Sequence, residues 1–373
     1  MKKIVHIVNS LDLGGAEKIL CDLVLNDKKN YEHEIICLKD KGKRKIILEK
    51  NNIKITFASL NKKKLFFLFK VSFLYFNLYK TKPYIIHAWM HHSNLLGAIY
   101  AILFGHKKLI WGIFSAKIGL DYNTFSTNLI IKINSIISNF LKIKITSCSI
   151  AGYQEHLKYG FNDNFEIIQP GFELISNDNQ EIVKFPEEQS SFRIGFLARW
   201  DKNKDHYNFF KAIKILQNKK YNFYYYFSGE SINSKNKYIL NFLSKNGIDF
   251  KYIKLLDKSK SINSFFKLID LHVLSSKSEG FPLVVPESML NGIPNLCTDV
   301  GDCREIIKED GWIVEKSNPD KLAEGIINAY NFLSNKKNKN KLIFKMKSRI
   351  KDNYSKQLML KKYNNLWETY KND

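Results

Sequence analysis

Short β-branched runs alternate with helix-spaced segments along this chain, and the alternation stops once and then restarts. From Lys3, "KIVHIVNSLDLGGAEKILCDLV" reads as strand, glycine turn and helix. Ile4, Val5, Ile7 and Val8 form an apolar run, Gly14 and Gly15 break it, and Ala16–Val24 has helical spacing. "HEIICLKD", "KITFAS", "YIIHAW", "KLIWGIF" and "KITSCSI" read as further strands, with "SNLLGAIYAILFG" as a helix between the last-but-two and last-but-one. Strands that alternate with helices predict a parallel sheet covered on both faces. A polar stretch, "ISNDNQEIVKFPEEQSS" at 175–191, then interrupts and predicts a linker. Beyond it "FRIGFLARW", "YNFYYYFSGE", "FKYIKLL", "DLHVLSS" and "PNLCTD" read as strands. "HYNFFKAIKILQ", "SINSFFKLI" and "VVPESMLNG" read as helices, the last closed by Gly292, and 338–373 reads as lysine-rich helix. The expected class is α/β, with two Rossmann-like, doubly wound domains facing a central cleft.

Size and composition agree with two globular domains. The chain has 373 residues, 45% hydrophobic and 25% charged, too long for one ordinary core and too apolar for disorder. "MKKIVHIVNS" runs straight into a strand and predicts no secretory leader. No run of about 18 uncharged apolar residues predicts a membrane span. Cys21, Cys37, Cys148, Cys297 and Cys303 are scattered and form no CxxC pair, so free thiols in a reducing cytoplasm are expected. The net charge of +23 favours anionic partners, although part of it reflects a general bias toward Lys, Asn and Ile.

The densest chemical signal is "DLHVLSSKSEGFPLVVPESMLNGIPNLCTDVGDCREII". Ser275 and Ser276 end a strand, Glu279 sits in the loop, and Pro286 and Glu287 fall in the first turns of a helix. Such a helix start offers N–H groups to an anion, and an ionised acid there can accept two ribose hydroxyls at once. Two acids favoured by the helix dipole would look the same. Upstream, "GFLARWDKNKDHYNFFKA" places Arg199 past a strand end and Lys204 before a helix. A planar fork beside a mobile point charge suits a diphosphate, and ordinary surface cations would also fit.

Together these segments resemble retaining glycosyltransferases of the GT-B class, the glycosyl transferases group 1 (family 4) enzymes. "SSKSEGFPLVVPESMLNGIPNLCTDVGDCREII" is similar to the family signature of two glutamates with seven residues between them. "ARWDKNKDHYNFFKA" resembles the family's Arg-then-Lys phosphate segment, and "SLDLGGAEK" its N-terminal glycine loop. "IIHAWMHHSNLLG" resembles a His-rich segment of the subgroup that makes surface polysaccharides.

The resemblance implies residue roles. Glu287 would bind the donor ribose, and Glu279 would contact the donor sugar or support the anomeric centre. Arg199 and Lys204 would neutralise the diphosphate. The segment Gly280, Phe281, Pro282 and Leu283 would grip phosphate and sugar through its backbone. Gly14 and Gly15 would allow close approach of the N-terminal loop. The family works without a metal, so no cofactor is expected, and two cations plus a helix start would carry the leaving-group charge. The acids would bind and orient the donor rather than act as a hydrolase's carboxylate pair. The implied domains are 1–174 on the acceptor side and 192–355 on the donor side, with a helix at 356–373 crossing back to the first domain.

Two features depart from the family. Where members carry a His or Arg after the strand that here reads "LIWGIFSAKI", this chain has Phe114 and Ser115 at that strand's end, so a substitute is sought among His87, His91 and His92. His91 opens the helix after "YIIHAW" and is expected to face the cleft, with a structural or surface His as the alternative. "IIQPGFE" has Pro170 where an Asn is usual before Gly171, which touches a hinge turn more than chemistry.

One segment stands apart. "NKKKLFFLFKVSFLYFNLYKTKP" at 61–83 sets Lys62, Lys63, Lys64, Lys70, Lys80 and Lys82 around Phe66, Phe67, Phe69, Phe73, Phe76 and Tyr79. It fits an interfacial helix on an anionic inner leaflet, and equally a core helix with basic ends. The expected activity is transfer of a hexose-type unit from a nucleotide diphosphate sugar to a saccharide or lipid-linked saccharide in surface-polysaccharide synthesis. It would take place in the cytoplasm or on the membrane's inner face. The alternatives are a GT-B nucleotide-sugar epimerase, which needs no acceptor, and a non-catalytic basic protein binding membrane or nucleic acid. No recognition module supports nucleic acid as a partner.

Overall fold

A computed structural model describes the chain except for residues 13, 28–29, 41, 61–66, 121, 174–190, 258–260 and 372–373. The linker expected at 175–191 and the lysine cluster Lys62–Lys64 therefore fall, but for Ser191, outside the described residues. The chain divides into two compact units, 1–171 with 356–373, and 172–355.

The first unit is built on seven strands. They are β1 (Lys3–Val8), β2 (Glu32–Cys37), β3 (Lys54–Phe57), β4 (Ile85–Trp89), β5 (Leu109–Ile113), β6 (Lys144–Ser147) and β7 (Phe165–Ile167). Their order is β3-β2-β1-β4-β5-β6-β7, with parallel pairing throughout. The strands at the centre are buried on both faces: β4 reads "IIHAW" and β5 "LIWGI", with all ten residues buried. That is the continuous apolar run a doubly covered parallel strand requires.

The helices divide between the two faces. On one, Leu74, Tyr75 and Leu78 of helix Phe67–Thr81, Ala98 and Tyr100 of helix His91–Phe104, and Ile131 of helix Phe125–Leu141 pack on Val5 and Ile7. On the other, Leu20 and Leu23 of helix Gly15–Asn26 share a core with Met359, Tyr363 and Trp367 of helix Lys356–Glu368. The C-terminal segment is thus part of the first unit's core. Helix Phe125–Leu141 is absent from the predicted elements. Its isoleucines are poor helix formers, and Thr124 starts it by accepting a hydrogen bond from the Thr127 N–H.

The second unit repeats the plan with β8 (Arg193–Leu197), β9 (Tyr224–Ser228), β10 (Ile253–Leu256), β11 (Leu271–Leu274), β12 (Asn295–Thr298) and β13 (Trp312–Val314). The order β10-β9-β8-β11-β12-β13 is the doubly wound one, whose switch point lies between β8 and β11. Phe250–Tyr252, expected as strand, forms a 3-10 turn started by Asp249, and β10 begins only at Ile253. The helical tail divides at Tyr354–Ser355, between helices Lys336–Asn353 and Lys356–Glu368. All five cysteines are buried, unbonded thiols.

Candidate active site

At the switch point of the second unit, three strand-end loops are laced together. The loop after β8 carries Arg199 and Lys204, the loop after β11 carries Ser275 to Pro282, and the loop after β12 carries Gly301. Ser275 Oγ donates to the Asp205 carbonyl at 3.0 Å, and the Lys277 N–H donates to the Asn203 carbonyl at 2.7 Å. Thr298 Oγ1 donates to the Ser276 carbonyl at 2.6 Å, and the Asp302 N–H to the Gly280 carbonyl at 2.9 Å. Gly301 sits at φ +55°, and a Cβ there would lie 2.4 Å from the Gly280 carbonyl oxygen. Only glycine allows that turn to press so closely against the Glu279–Gly280 backbone.

Glu279 is held where these loops meet. Its Oε1 accepts from Lys204 Nζ at 2.5 Å and from Ser276 Oγ at 2.6 Å. The carboxylate side chain is 11% exposed and the lysine 23%. This is a charge-assisted pair with a second donor, the arrangement that makes a half-buried ion pair tolerable. Arg199 is more open. Its guanidinium, 65% exposed, reaches Asp201 at 3.1 Å, and Asp201 also accepts from the Asn203 N–H. A third cation, Lys277, lies 3.4 Å from the buried Asp205, whose φ of +48° ends the lysine-rich turn and starts helix His206–Asn218. Burial, helped by the Lys204 charge, pushes the His206 imidazole down to about 3, so this helix begins with a neutral ring. Beside it a cavity of about 290 Å³ is lined by Trp200, Tyr207, Tyr238 and Lys277.

Of the expected donor residues, Lys204 and Glu279 are in direct contact. Glu287 is half-buried in helix Val284–Leu290, and its N–H bonds to the Leu283 carbonyl. Phe281 contributes its ring to the core, between Phe172 and Tyr354. Pro282 has no N–H to offer a ligand, and its carbonyl accepts from the Val285 N–H. Ser276, Lys277, Asp201, Asp205 and Gly301 were given no role from sequence. The serines and Lys277 stand inside the "SSKSE" run, which was a usable signal. The positive φ of Gly301 had none.

In the first unit, Gly14 precedes helix Gly15–Asn26. A Cβ on Gly14 would meet Glu17 Oε2 at 2.1 Å, while Ser10 Oγ donates to Glu17 Oε1. The glycine thus makes room for an acid of its own helix. His91 opens its helix and is 5% exposed, stacked on His156 with Nε2 3.4 Å from Ser115 Oγ. Its Nδ1 has no hydrogen-bond partner among the described residues. Burial first, then the neighbouring His156, pushes it down to about 3, so the ring is neutral at pH 7.

His87 lies fully buried in an aromatic cluster with Trp89, Tyr363 and Trp367. Beside it runs a proton-ordered chain that sequence reasoning missed. Trp89 Nε1 donates to His6 Nδ1 at 3.1 Å, which leaves the His6 proton on Nε2. His6 then donates to His33 Nδ1 at 3.0 Å, and His33 to Asp27 Oδ2 at 3.2 Å.

Two parallel α/β units of this topology define the GT-B fold. The chain superposes on HepE from Anabaena, solved with UDP and glucose, with a TM-score of 0.82 over 99% of this chain and all of that one, at 17% identity. Residues 177–349 match the family Glycosyl transferases group 1. The chain is a glycosyltransferase carrying that family's domain. It is 24% identical to a capsular polysaccharide biosynthesis glycosyltransferase, CapM of Staphylococcus aureus, over 78% of each chain. It is also 24% identical to an uncharacterized 41.2 kDa protein in the cps region of Klebsiella pneumoniae, over 86% of this chain and 88% of that one.

Proposed function

We propose that this glycosyltransferase moves a hexosyl unit, with retention, from a nucleotide diphosphate sugar to a saccharide or lipid-linked saccharide in bacterial surface-polysaccharide synthesis. The observation that carries the donor half is the Lys204–Glu279–Ser276 cluster, laced into the switch point of the second unit. Arg199 and Lys204 neutralise the diphosphate, and Lys277 lies on the loop beside them. Glu279 fixes Lys204 and meets the donor sugar. Glu287 takes the ribose hydroxyls, and Gly280, Phe281, Pro282 and Leu283 shape the turn against which the donor lies. The relatives named for capsule synthesis and the UDP-bound neighbour support a UDP-sugar and a polysaccharide pathway.

In the transfer, the bond from the anomeric carbon to the phosphate oxygen breaks as the acceptor hydroxyl approaches on the same face. The departing phosphate takes the acceptor's proton, so neither glutamate serves as a base. The charge that develops on phosphate is met by fixed cations, and on that positive ground we propose that no divalent ion takes part. Gly14 and Gly15 allow the N-terminal loop a close approach to donor or acceptor. The neutral His91 enters as a hydrogen-bonding group through its unpartnered Nδ1. The buried thiols fit a reducing compartment, the cytoplasm.

A thermal-shift panel of nucleoside diphosphate sugars, UDP-sugars first, tests the reading. A ligand at one hundred times its Kd should add about 2.7 kcal/mol of stability. Transfer should then require a saccharide acceptor, whereas an epimerase would convert donor alone. No stabilisation by any nucleotide sugar would overturn the proposal.

A further inference from the structure

Among the described residues, thirteen of the twenty-four exposed large hydrophobic side chains fall between 69 and 140, on or beside the three helices that cover one face of the first unit's sheet. They are arranged in stripes. Phe69, Phe73 and Phe76 recur at helical spacing on Phe67–Thr81, and their neighbours Leu74, Tyr75 and Leu78 turn inward. Leu129, Ile136 and Phe140 form a matching outward stripe on Phe125–Leu141, with exposed Lys132 in line between them. The middle helix closes the gap: Phe104 lies 5.9 Å from Tyr79, and Asn134 Nδ2 donates to the His91 carbonyl.

The charge over the same stretch is one-sided. Between 61 and 142 the chain carries eleven lysines and a single acid, Asp121. The helices on the opposite face of the sheet instead mix the two signs, with Glu17, Asp22, Glu49 and Glu368 among Lys18, Lys45, Lys50, Lys356, Lys361 and Lys362. A face that is apolar and aromatic, in a stretch whose charge is almost all lysine, is complementary to one kind of surface, apolar at shallow depth and anionic at its rim. Among the described residues no helix is long and apolar enough to cross a membrane.

We propose that this three-helix face docks on an anionic lipid bilayer, its aromatics at the headgroup level and its lysines against lipid phosphates. The proposal goes beyond glycosyl transfer and does not depend on it. Attachment combines shallow burial of the stripes with attraction that salt screens.

The test is flotation of the full chain with vesicles of phosphatidylcholine alone or with phosphatidylglycerol. The native chain should float with anionic vesicles, less so at high salt, and poorly with neutral ones. Phe73→Ser, Phe76→Ser and Phe140→Ser together should lower partitioning roughly tenfold or more, with an unchanged melting temperature. Ile46→Ser with Ile47→Ser, on the other face, should float like the native chain. A second readout does not need the triple variant to fold. Phe140→Cys, labelled with an environment-sensitive dye while the buried thiols stay unreacted, should shift to the blue on anionic vesicles. No flotation of the native chain, native flotation of the triple variant, or an unshifted dye would each overturn the proposal. A native dimer that Phe140→Ser dissociates, without vesicle binding, would also overturn it by giving the face to a second copy.

Discussion

In the second unit the polar groups at the strand ends are charged and paired: Lys204 with Glu279, Lys277 with Asp205, Arg199 with Asp201. In the first unit the buried acids Asp27 and Glu34 stand at and before β2, paired with His33 and with Lys3 and Lys54, and the centre of the sheet holds neutral rings instead: His6, His87, Trp89, His91 and His156. The same doubly wound plan therefore holds two kinds of interior. Paired charges keep a site ready for an anionic ligand, because an arriving phosphate can share cations already gathered there. Neutral rings give up that readiness and instead lock strands to helices through directional hydrogen bonds and stacking. The difference predicts that substitutions in the second unit act on turnover, whereas acid acts mainly on the first.

The largest effect should follow removal of Lys204. On the proposed reading Lys204→Ala deletes a cation that meets the leaving group, and it strips Glu279 of its charged partner, so kcat/KM should fall by about 10²–10³, the scale for losing one preorganised charge-stabilising donor. Glu279→Gln keeps the shape and Ser276 as a donor, and should cost turnover more than donor affinity. Steady-state kinetics with a defined donor measure both. A Lys204→Ala enzyme within a factor of three of native would dissolve the contrast between the units.

Acid comes next. Burial pushes His87 and His91 down to about 3 and His156 to about 4, and holds His6 well below the usual imidazole value. In the unfolded chain these rings bind protons near the ordinary imidazole value of 6.5. The sign follows: their contribution is complete above pH 6.5 and is lost as pH falls toward about 3 to 4. Each such ring adds a slope of roughly 1.4 kcal/mol per pH unit inside that window. The second unit has two of them, His206 and His272. Melting followed from pH 7.5 to 4.5 should show the first unit failing earlier, and His87→Phe should flatten the slope. A melting temperature indifferent to pH over that range would contradict the neutral-ring account.

What could be read from sequence follows the same division. The "SSKSEGFPLVVPE" segment is legible because its chemistry is local: serines, a glutamate, glycine and prolines at one strand end, in an order that only a tight loop tolerates. Strand sites were legible too, since β-branched runs bounded by Gly, Pro and Asn have a short-range cause. The chain Trp89–His6–His33–Asp27 was not. Its partners lie on β4, β1, β2 and the loop before β2, and nothing in the neighbourhood of His6 announces an acceptor 27 residues away. Gly301 lies in the same sequence segment as the glutamates, but its contact with the Gly280 carbonyl arises only when two strand-end loops meet. The exposed apolar stripe was half legible. Phe69, Phe73 and Phe76 stood out among lysines, whereas the matching stripe on Phe125–Leu141 lay in a helix that propensity alone argues against.

A smaller effect is expected at Glu287. Glu287→Ala should weaken binding of the free nucleoside diphosphate by about 1.5–3 kcal/mol, the range for a hydrogen bond to a charged group. Calorimetry decides it. Unchanged affinity would return Glu287 to the role of an acid that complements its helix dipole.

The smallest effect, and so the sharpest test of the charge account, is that of a chelator. Arg199, Lys204 and Lys277 stand on two adjacent loops of one unit, and Glu279 and Asp205 hold two of them in place. If these cations meet the phosphate charge, EDTA should leave turnover unchanged within error, and added magnesium or manganese should not raise it. Ionic strength should instead matter, because the open guanidinium of Arg199 is screened where the half-buried Lys204 is not. Arg199→Ala should then remove most of the salt sensitivity of donor binding, and Lys204→Ala should remove little of it. A strong loss with EDTA that magnesium restores would show that the second unit's cations gather the donor without completing the neutralisation its leaving group needs.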